Sequence, residues 1–265
     1  MRRLLFTLSM LFGLTAQAAV EVFDYPNYRV YAIQDAATRF PASLFDSIDP
    51  EEKFVQTEAD YAGSINVFIV EFKSDGRRIM IDAGLGSPRG KLLTEMKKAG
   101  LAPKSISDIF ITHIHIDHVG GLPDFPHAKV HIAKDEYEAW AKDPSRKSLA
   151  KYLPDKKDLV LFDYDDGGID LSHDLVGVDM PGHTPGHTVF ELSDFGGPYF
   201  IGDLIHAADL QIAHPAFCAR YDMDPKEAAD VRRIALKGYR GEWFGAHIPF
   251  PGRYRDDAPP EAVSK

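Results

Sequence analysis

The segment Thr112-His113-Ile114-His115-Ile116-Asp117-His118-Val119-Gly120-Gly121 places three imidazoles and a carboxylate within six residues. Burying so many ionisable groups is costly unless something pairs with them, and a metal ion is the economical partner. Imidazole nitrogen and carboxylate oxygen suit zinc, and equally manganese, iron or cobalt; softness gives no reason to prefer copper(I). A solvated His-rich loop is the plain alternative, but Ile109, Ile111, Ile114 and Val119 make its surroundings apolar. The run Ile106 to Thr112 reads as a buried strand, so the histidines begin where a strand ends, which is where α/β proteins place chemistry.

Composition narrows the partners. Eleven His stand beside one Cys, Cys218, in 265 residues, so neither an intramolecular disulfide nor a thiolate-rich zinc site is available. Thirty Lys and Arg against forty Asp and Glu leave a charge of −10, which does not attract a nucleic-acid backbone. Met1-Arg2-Arg3, the apolar run Leu4 to Leu14 and Ala16-Gln17-Ala18 read as a secretory signal peptide over residues 1–18. That run is too short to span a bilayer, which needs ~20 residues. Residues 19–265 are expected as one domain, periplasmic or secreted, with no membrane attachment once the signal is removed.

The elements that must position the histidines follow from pattern. Tyr28 to Ile33, Ile65 to Phe72 and Arg78 to Ile81 read as strands, the last two joined by a hairpin at Ser74-Asp75-Gly76. Residues 35–64 show no clear period, and two readings stand equal there: a lid, or packing of an amino-terminal extension. An amphipathic helix is expected over Gly90 to Ala99, a strand at Lys129 to Ala133 and a helix from Lys134 to Ala141. Further strands are expected at Leu159 to Phe162, Leu175 to Met180, Thr188 to Leu192, Tyr199 to Ile201 and Trp243 to Ala246. Asp224-Pro225-x-Glu227 is a helix start, with the helix running to about Lys237. The order predicts a layered α/β (α+β) domain with two related halves.

Several pieces, in order, resemble the metallo-β-lactamase-fold hydrolases. They are Ile81-Asp82-Ala83-Gly84, His113-x-His115-x-Asp117-His118, Pro181-Gly182-His183-Thr184-Pro185-Gly186-His187, Gly202-Asp203 and a late His247. The resemblance implies a four-layer αβ/βα sandwich with two divalent metal ions at one edge, zinc first. It implies that His113, His115 and His183 hold one metal, that Asp117, His118 and His247 hold the other, and that Asp203 and a hydroxide bridge them. Asp82 would orient a ligand imidazole, and His187 would be structural.

Asp203 sets the chain apart from true β-lactamases of the fold, which lack a bridging Asp, and aligns it with hydrolytic relatives such as glyoxalase II and the lactonases. Gly202 to Pro215, Tyr221-Asp222-x-Asp224-Pro225 and His247-Ile248-Pro249-Phe250-Pro251-Gly252 are similar to the branch containing methyl parathion hydrolase and dihydrocoumarin-type lactonases. Many acyl-homoserine lactonases have Tyr where this chain has His206. A lactone, aryl ester or organophosphate-like ester is therefore the expected substrate, small and uncharged, attacked by the bridging hydroxide. An acyl-homoserine lactonase, a β-lactamase and a metal-bound sensor are the alternatives. Asp117, Asp203 and His206 are the expected catalytic residues, Asp117 as a proton carrier to the leaving group. For His206 two roles stand equal: a hydrogen bond to substrate, or packing against the metal shell.

Phe40, Phe45, Trp140, Phe217, Tyr221 and Phe250 are candidates for an apolar pocket, and His214 for its rim. His127, His131 and His173 fall outside the motifs and read as structural or exposed. Relatives of the fold are often dimers, so a homodimer is compatible with the resemblance. The chain stops soon after its Phe-Pro-Gly segment, so the last strand of one sheet is expected to be short or absent.

Overall fold

In the computed structural model the described residues are 19–54, 59–143, 149, 151–155, 157–164, 168–172, 175–192 and 197–256. The expected signal peptide at 1–18, His173 and the tail from residue 257 lie outside them.

Two sheets carry the molecule. The first has seven strands: β1 (Val20–Asp24), β2 (Tyr28–Pro41), β4 (Asp60–Phe72), β5 (Arg78–Ile81), β6 (Ile106–Phe110), β7 (Lys129–Ala133) and β8 (Leu159–Phe162), side by side in that order. Its first four strands pair antiparallel and the rest parallel. The second sheet runs β15 (Arg253–Asp256), β14 (Gly241–Gly245), β12 (Tyr199–Gly202), β11 (Thr188–Leu192), β10 (Leu175–Asp179), β9 (Gly168–Ser172). β3 (Phe45–Ser47) and β13 (Phe217–Ala219) form a separate two-stranded ribbon.

Alternation along the strands builds the layers. On β5, Ile79 and Ile81 turn inward to meet Phe190, Phe200 and Phe244 of the second sheet, while Met80 turns outward. Outside the first sheet, Met80, Ile109 and Val130 meet Leu92 and Met96 of helix α1 (Leu92–Lys98) and Trp140 of α3 (Lys134–Lys142). A short α2 (Ile116–Val119) lies between those helices in sequence, and α4 (Ala208–Gln211) follows β12. Outside the second sheet, Val189, Ile201 and Trp243 meet Ala235 of α5 (Pro225–Gly238). The result is the expected four-layer αβ/βα sandwich. α5 begins as its sequence requires: the Asp224 side chain accepts the Glu227 N–H at 2.9 Å, with Pro225 at the first helical position.

One expectation is corrected. Residues 35–64 are not one irregular segment: half of them lie in β2, β3 and β4, and β2 and β4 pair from Tyr28↔Phe72 to Pro41↔Asp60. A bulge between Gln34 and Ala36 shifts the register and turns Asp35 inward, which destroys the two-residue period on which the sequence reading depended. Between the two strands, β3 ties the described part of the excursion to β13. The closing strand of the second sheet is short, one of the two outcomes expected: the chain turns at Pro249–Gly252 and the four-residue β15 pairs antiparallel with β14. Its composition, Arg-Tyr-Arg-Asp, is polar, as an edge strand tolerates. Among the described residues no helix is long and apolar enough to cross a membrane.

Candidate metal centre

β5, β6, β12 and β14 all end at the same edge of the sandwich, and each delivers a functional residue just past its last ladder position. β5 is followed by Asp82, β6 by Thr112 to His118, β12 by Asp203 and β14 by His247. His183 arrives from the turn between β10 and β11. There Gly182 lies so close to α5 that a Cβ would stand 2.2 Å from the Ala228 nitrogen.

The structure brings all seven expected ligands together. His113, His115, His183 and Asp203 form one group and Asp117, His118 and His247 another, while Asp203, His206 and His247 form a third that overlaps both; the ligand atoms of each group lie within 4.8 Å of one another. Asp203 reaches both: its Oδ2 is 3.3 Å from His183 Nε2 and 3.1 Å from His247 Nε2, and its Oδ1 is 3.1 Å from His118 Nε2. Most of the set is fully buried, while His115 and Asp117 are half-buried and mark the opening.

The outward nitrogens of four rings are engaged. His118 Nδ1 meets Asp82 Oδ2 at 2.8 Å, His183 Nδ1 meets Asp222 Oδ1 at 2.7 Å, and His247 Nδ1 meets the Ser64 carbonyl at 2.9 Å. His113 Nδ1 lies 3.1 Å from the Thr112 hydroxyl, which itself donates to Asp82. With their N–H groups donated outward, these rings aim lone pairs inward. His113 Nε2, His115 Nδ1 and His183 Nε2 converge at 2.9, 3.1 and 3.2 Å from one another. Lone pairs facing at that distance repel unless a cation or protons lie between them. His118 Nε2 and Asp203 Oδ1, both buried, make no aligned hydrogen bond among the described residues. The donor set, all nitrogen and oxygen, fits divalent metal ions of the zinc type.

The electrostatics say what a metal would displace. Burial lowers the pKa of His183 and His247, but Asp203 and Asp222 around the first, and Asp203 and Asp117 around the second, outweigh it and raise them to about 9 and about 10. Asp203, Asp82 and Asp117 outweigh burial at His118 in the same way, so all three rings carry protons at neutral pH when no metal is bound. Metal binding is expected to release about three protons per chain near neutral pH, and affinity to fall as pH falls. Titrating zinc into weakly buffered apoprotein checks this; loading without proton release would contradict it. Burial also raises Asp117 and Asp203, yet His118 and His247 hold both below the usual carboxylate range.

Other expected residues fall as follows. Asp82, in the left-handed region at φ 59, accepts from the Thr112 N–H at 2.8 Å and orients His118. His187 is structural: its Nδ1 meets the Met180 carbonyl and its Nε2 accepts the Asp203 N–H, both at 3.1 Å, which fixes the peptide bearing Asp203. His206 is fully buried, with Nε2 3.1 Å from Asp203 Oδ2 and its ring stacked on His247 at 5.0 Å. Burial pushes its pKa down to about 4, so the neutral ring can donate to Asp203. Phe40 stands edge-on to His206 and His247, backed by Phe45 and Phe217. Trp140 stands edge-on to His115, and the exposed Tyr221 flanks His183 and His206. Phe250 packs instead against the core between the sheets. His214 pairs with Glu52, and His131 with Asp108; His127 lines a separate surface groove with Phe125 and Lys104.

Sequence reasoning missed three supporting side chains: Asp222 behind His183, Arg232 behind Asp222, and Glu136 behind the two His-bearing loops. For Asp222 a signal existed, since an acidic residue in the Tyr221-Asp222-x-Asp224-Pro225 segment is the natural partner for an unclaimed ligand imidazole.

Among known proteins, the chain is 28% identical over 145 residues to hydroxyacylglutathione hydrolase of Citrobacter koseri, covering 53% of this chain and 47% of that one. It is 31% identical over 101 residues to an N-acyl homoserine lactonase of Bacillus cereus, 37% of each. The chain thus spans about half the length, or less, of these curated relatives. The crystal structure of the hydrolase AbOPH of the beta lactamase superfamily superposes with a TM-score of 0.72 at 27% identity, covering 91% of this chain and 94% of that one. AidC, a dizinc quorum-quenching lactonase, superposes with a TM-score of 0.76 over 93% of this chain and 99% of its own, at 23% identity, a likeness of fold. Residues 60–251 match the family model of the metallo-beta-lactamase superfamily, and the chain belongs to that superfamily.

Proposed function

We propose that this protein is a dinuclear metal-dependent hydrolase of a small, uncharged lactone or ester. The observation that carries the reading is that two adjoining groups of ligand-type side chains, His113, His115 and His183 on one side and Asp117, His118 and His247 on the other, both lie within reach of Asp203. Two zinc-type ions held there would supply a water of lowered pKa and polarise the carbonyl under attack. The chain's own groups do the rest. His206, neutral and behind Asp203, holds that carboxylate in place. Asp117, half-buried at the opening, is positioned to carry a proton toward a leaving alkoxide. Phe40, Trp140 and Tyr221 offer apolar surface around the rings, which suits an uncharged acyl or aryl group.

The lactone side of the reading is supported by the curated N-acyl homoserine lactonase and by the AidC structure, determined in complex with the product N-hexanoyl-L-homoserine. Aryl esters rank beside lactones, and organophosphate triesters follow as side activity. The reading includes export, with residues 1–18 removed as a signal peptide; amino-terminal sequencing of protein from a periplasmic extract checks that.

Metal analysis and a substrate panel test the function. The chain without residues 1–18 is expected to hold two metal ions and to hydrolyse a δ-lactone, an acyl-homoserine lactone or an aryl ester faster than a paraoxon-like triester or a chromogenic cephalosporin. A cephalosporin as best substrate would overturn the substrate class. Fewer than two metals would overturn the dinuclear centre, and two metals with no turnover on any panel member would favour a sensor.

A further inference from the structure

One buried carboxylate touches neither metal-ligand ring nor solvent. Glu136, in the first turn of α3, is fully buried, and all the hydrogen bonds it receives at its two oxygens come from the structure around the metal centre. Its Oε1 accepts the Ile114 N–H at 2.7 Å, the peptide between His113 and His115, and the Trp140 Nε1–H at 2.6 Å. Its Oε2 accepts the Gly186 N–H at 3.0 Å, in the turn that carries His183. Gly186 is shaped for this contact, since a Cβ there would lie 2.3 Å from the Glu136 nitrogen. Trp140, one turn along α3 from Glu136, presses its ring edge-on to His115 at 5.3 Å.

We infer that Glu136 is the positioning residue of the His113, His115 and His183 half-site, a single carboxylate that fixes two ligand-bearing loops relative to each other before metal arrives. The inference rests on the dinuclear reading above. Asp82 and Asp222 each orient one imidazole. Glu136 acts on backbone, and on both sides of a gap of some seventy residues in sequence between His113 and His183. Burying a carboxylate is expensive unless its oxygens are satisfied, and here satisfaction requires both loops to be in place at once. The Asp117, His118 and His247 group has its own supports, Asp82 and the Ser64 carbonyl, and receives no bond from Glu136. The effect of losing Glu136 is therefore asymmetric between the two sites.

Glu136→Gln tests this, because the amide keeps the size but must turn its NH2 toward one of the donors. Zinc binding to the chain without residues 1–18, measured by competition with a chromophoric chelator, is expected to show two sites in the parent. In the variant one site weakens by roughly 10- to 100-fold while the other is unchanged. A role in folding alone would lower the melting temperature of metal-free protein and leave both zinc constants at parental values, or shift both equally; either result overturns the inference. Should Glu136→Gln not fold, Trp140→Phe removes one donor from Oε1 while keeping an aromatic ring, and the same one-sided weakening is expected. Equal constants in Trp140→Phe would overturn the inference in that case. A parent that binds no zinc would instead overturn the dinuclear reading itself.

Discussion

Asp203→Ala is expected to lower hydrolysis by roughly three orders of magnitude or more and to leave at most one firmly held metal per chain. The Asp203 carboxylate reaches both ligand groups, with Oδ1 toward His118 and Oδ2 toward His183 and His247. On the dinuclear reading, removing it would take one ligand from each metal. It also removes the anion that balances a cluster of imidazoles in a buried site, where an unpaired charge is costly. Asp203→Asn separates the two effects, since the amide keeps volume and one oxygen while losing charge; it is expected to keep the fold and lose the second metal. Metal content by elemental analysis, read beside kcat/KM on the best lactone or ester, decides the matter. An Asp203→Ala variant with two metals and parental rates would sink the dinuclear mechanism.

The candidate ligands were legible because they stand in short segments that follow strands β6, β10, β12 and β14, and whose residue types have few other uses. His113, His115, Asp117 and His118 needed only local spacing. His183, Asp203 and His247 needed the order of several such segments along the chain. The supporting residues were not legible, because their roles depend on partners far away in sequence. Glu136 and Glu138 read alike on one helix; Glu138 pairs with Lys142 at the surface, while Glu136 is buried against loops that begin 22 and 50 residues away. The long β2–β4 pair escaped for a different reason. At the bulge Ile33 and Asp35 are buried between the even-numbered inward positions on either side, and a pattern read for one continuous period dissolves. Asp35 then serves structure, accepting the Leu85 and Leu92 N–H groups at 2.8 and 2.7 Å and so anchoring α1. His206 lies between these cases: its place next to Asp203 was visible, but not that its ring would be sealed behind the carboxylate and against His247.

Arg232 and Arg233, neighbours on α5, make the same point in energy. Arg232 is fully buried, donating to the Leu204 carbonyl at 2.7 Å and to the Pro215 and Phe217 carbonyls at 2.7 and 2.9 Å, with Asp222 Oδ2 3.8 Å away. It thereby ties α5 to the segment that follows Asp203 and faces the carboxylate that orients His183. Arg232→Met fills similar space but takes this donor from the buried Leu204 and Phe217 carbonyls and the part-buried Pro215 carbonyl, and leaves Asp222 without its cation. The expected cost is about 3–5 kcal/mol of folding stability. For a domain of this size that is a fall of about 10 °C or more in Tm. Arg233 instead pairs with Asp230 at 2.9 Å on the surface, so Arg233→Met is expected to cost about 0.5 kcal/mol or less. Arg232→Lys is expected to fall nearer to Met than to the parent, because one ammonium cannot reproduce the guanidinium fork. Denaturant unfolding of the three variants, metal-free and zinc-loaded, measures the differences. If Arg232→Met and Arg233→Met lie within the error of each other, the buried arginine is not what holds α5 to the metal-bearing edge.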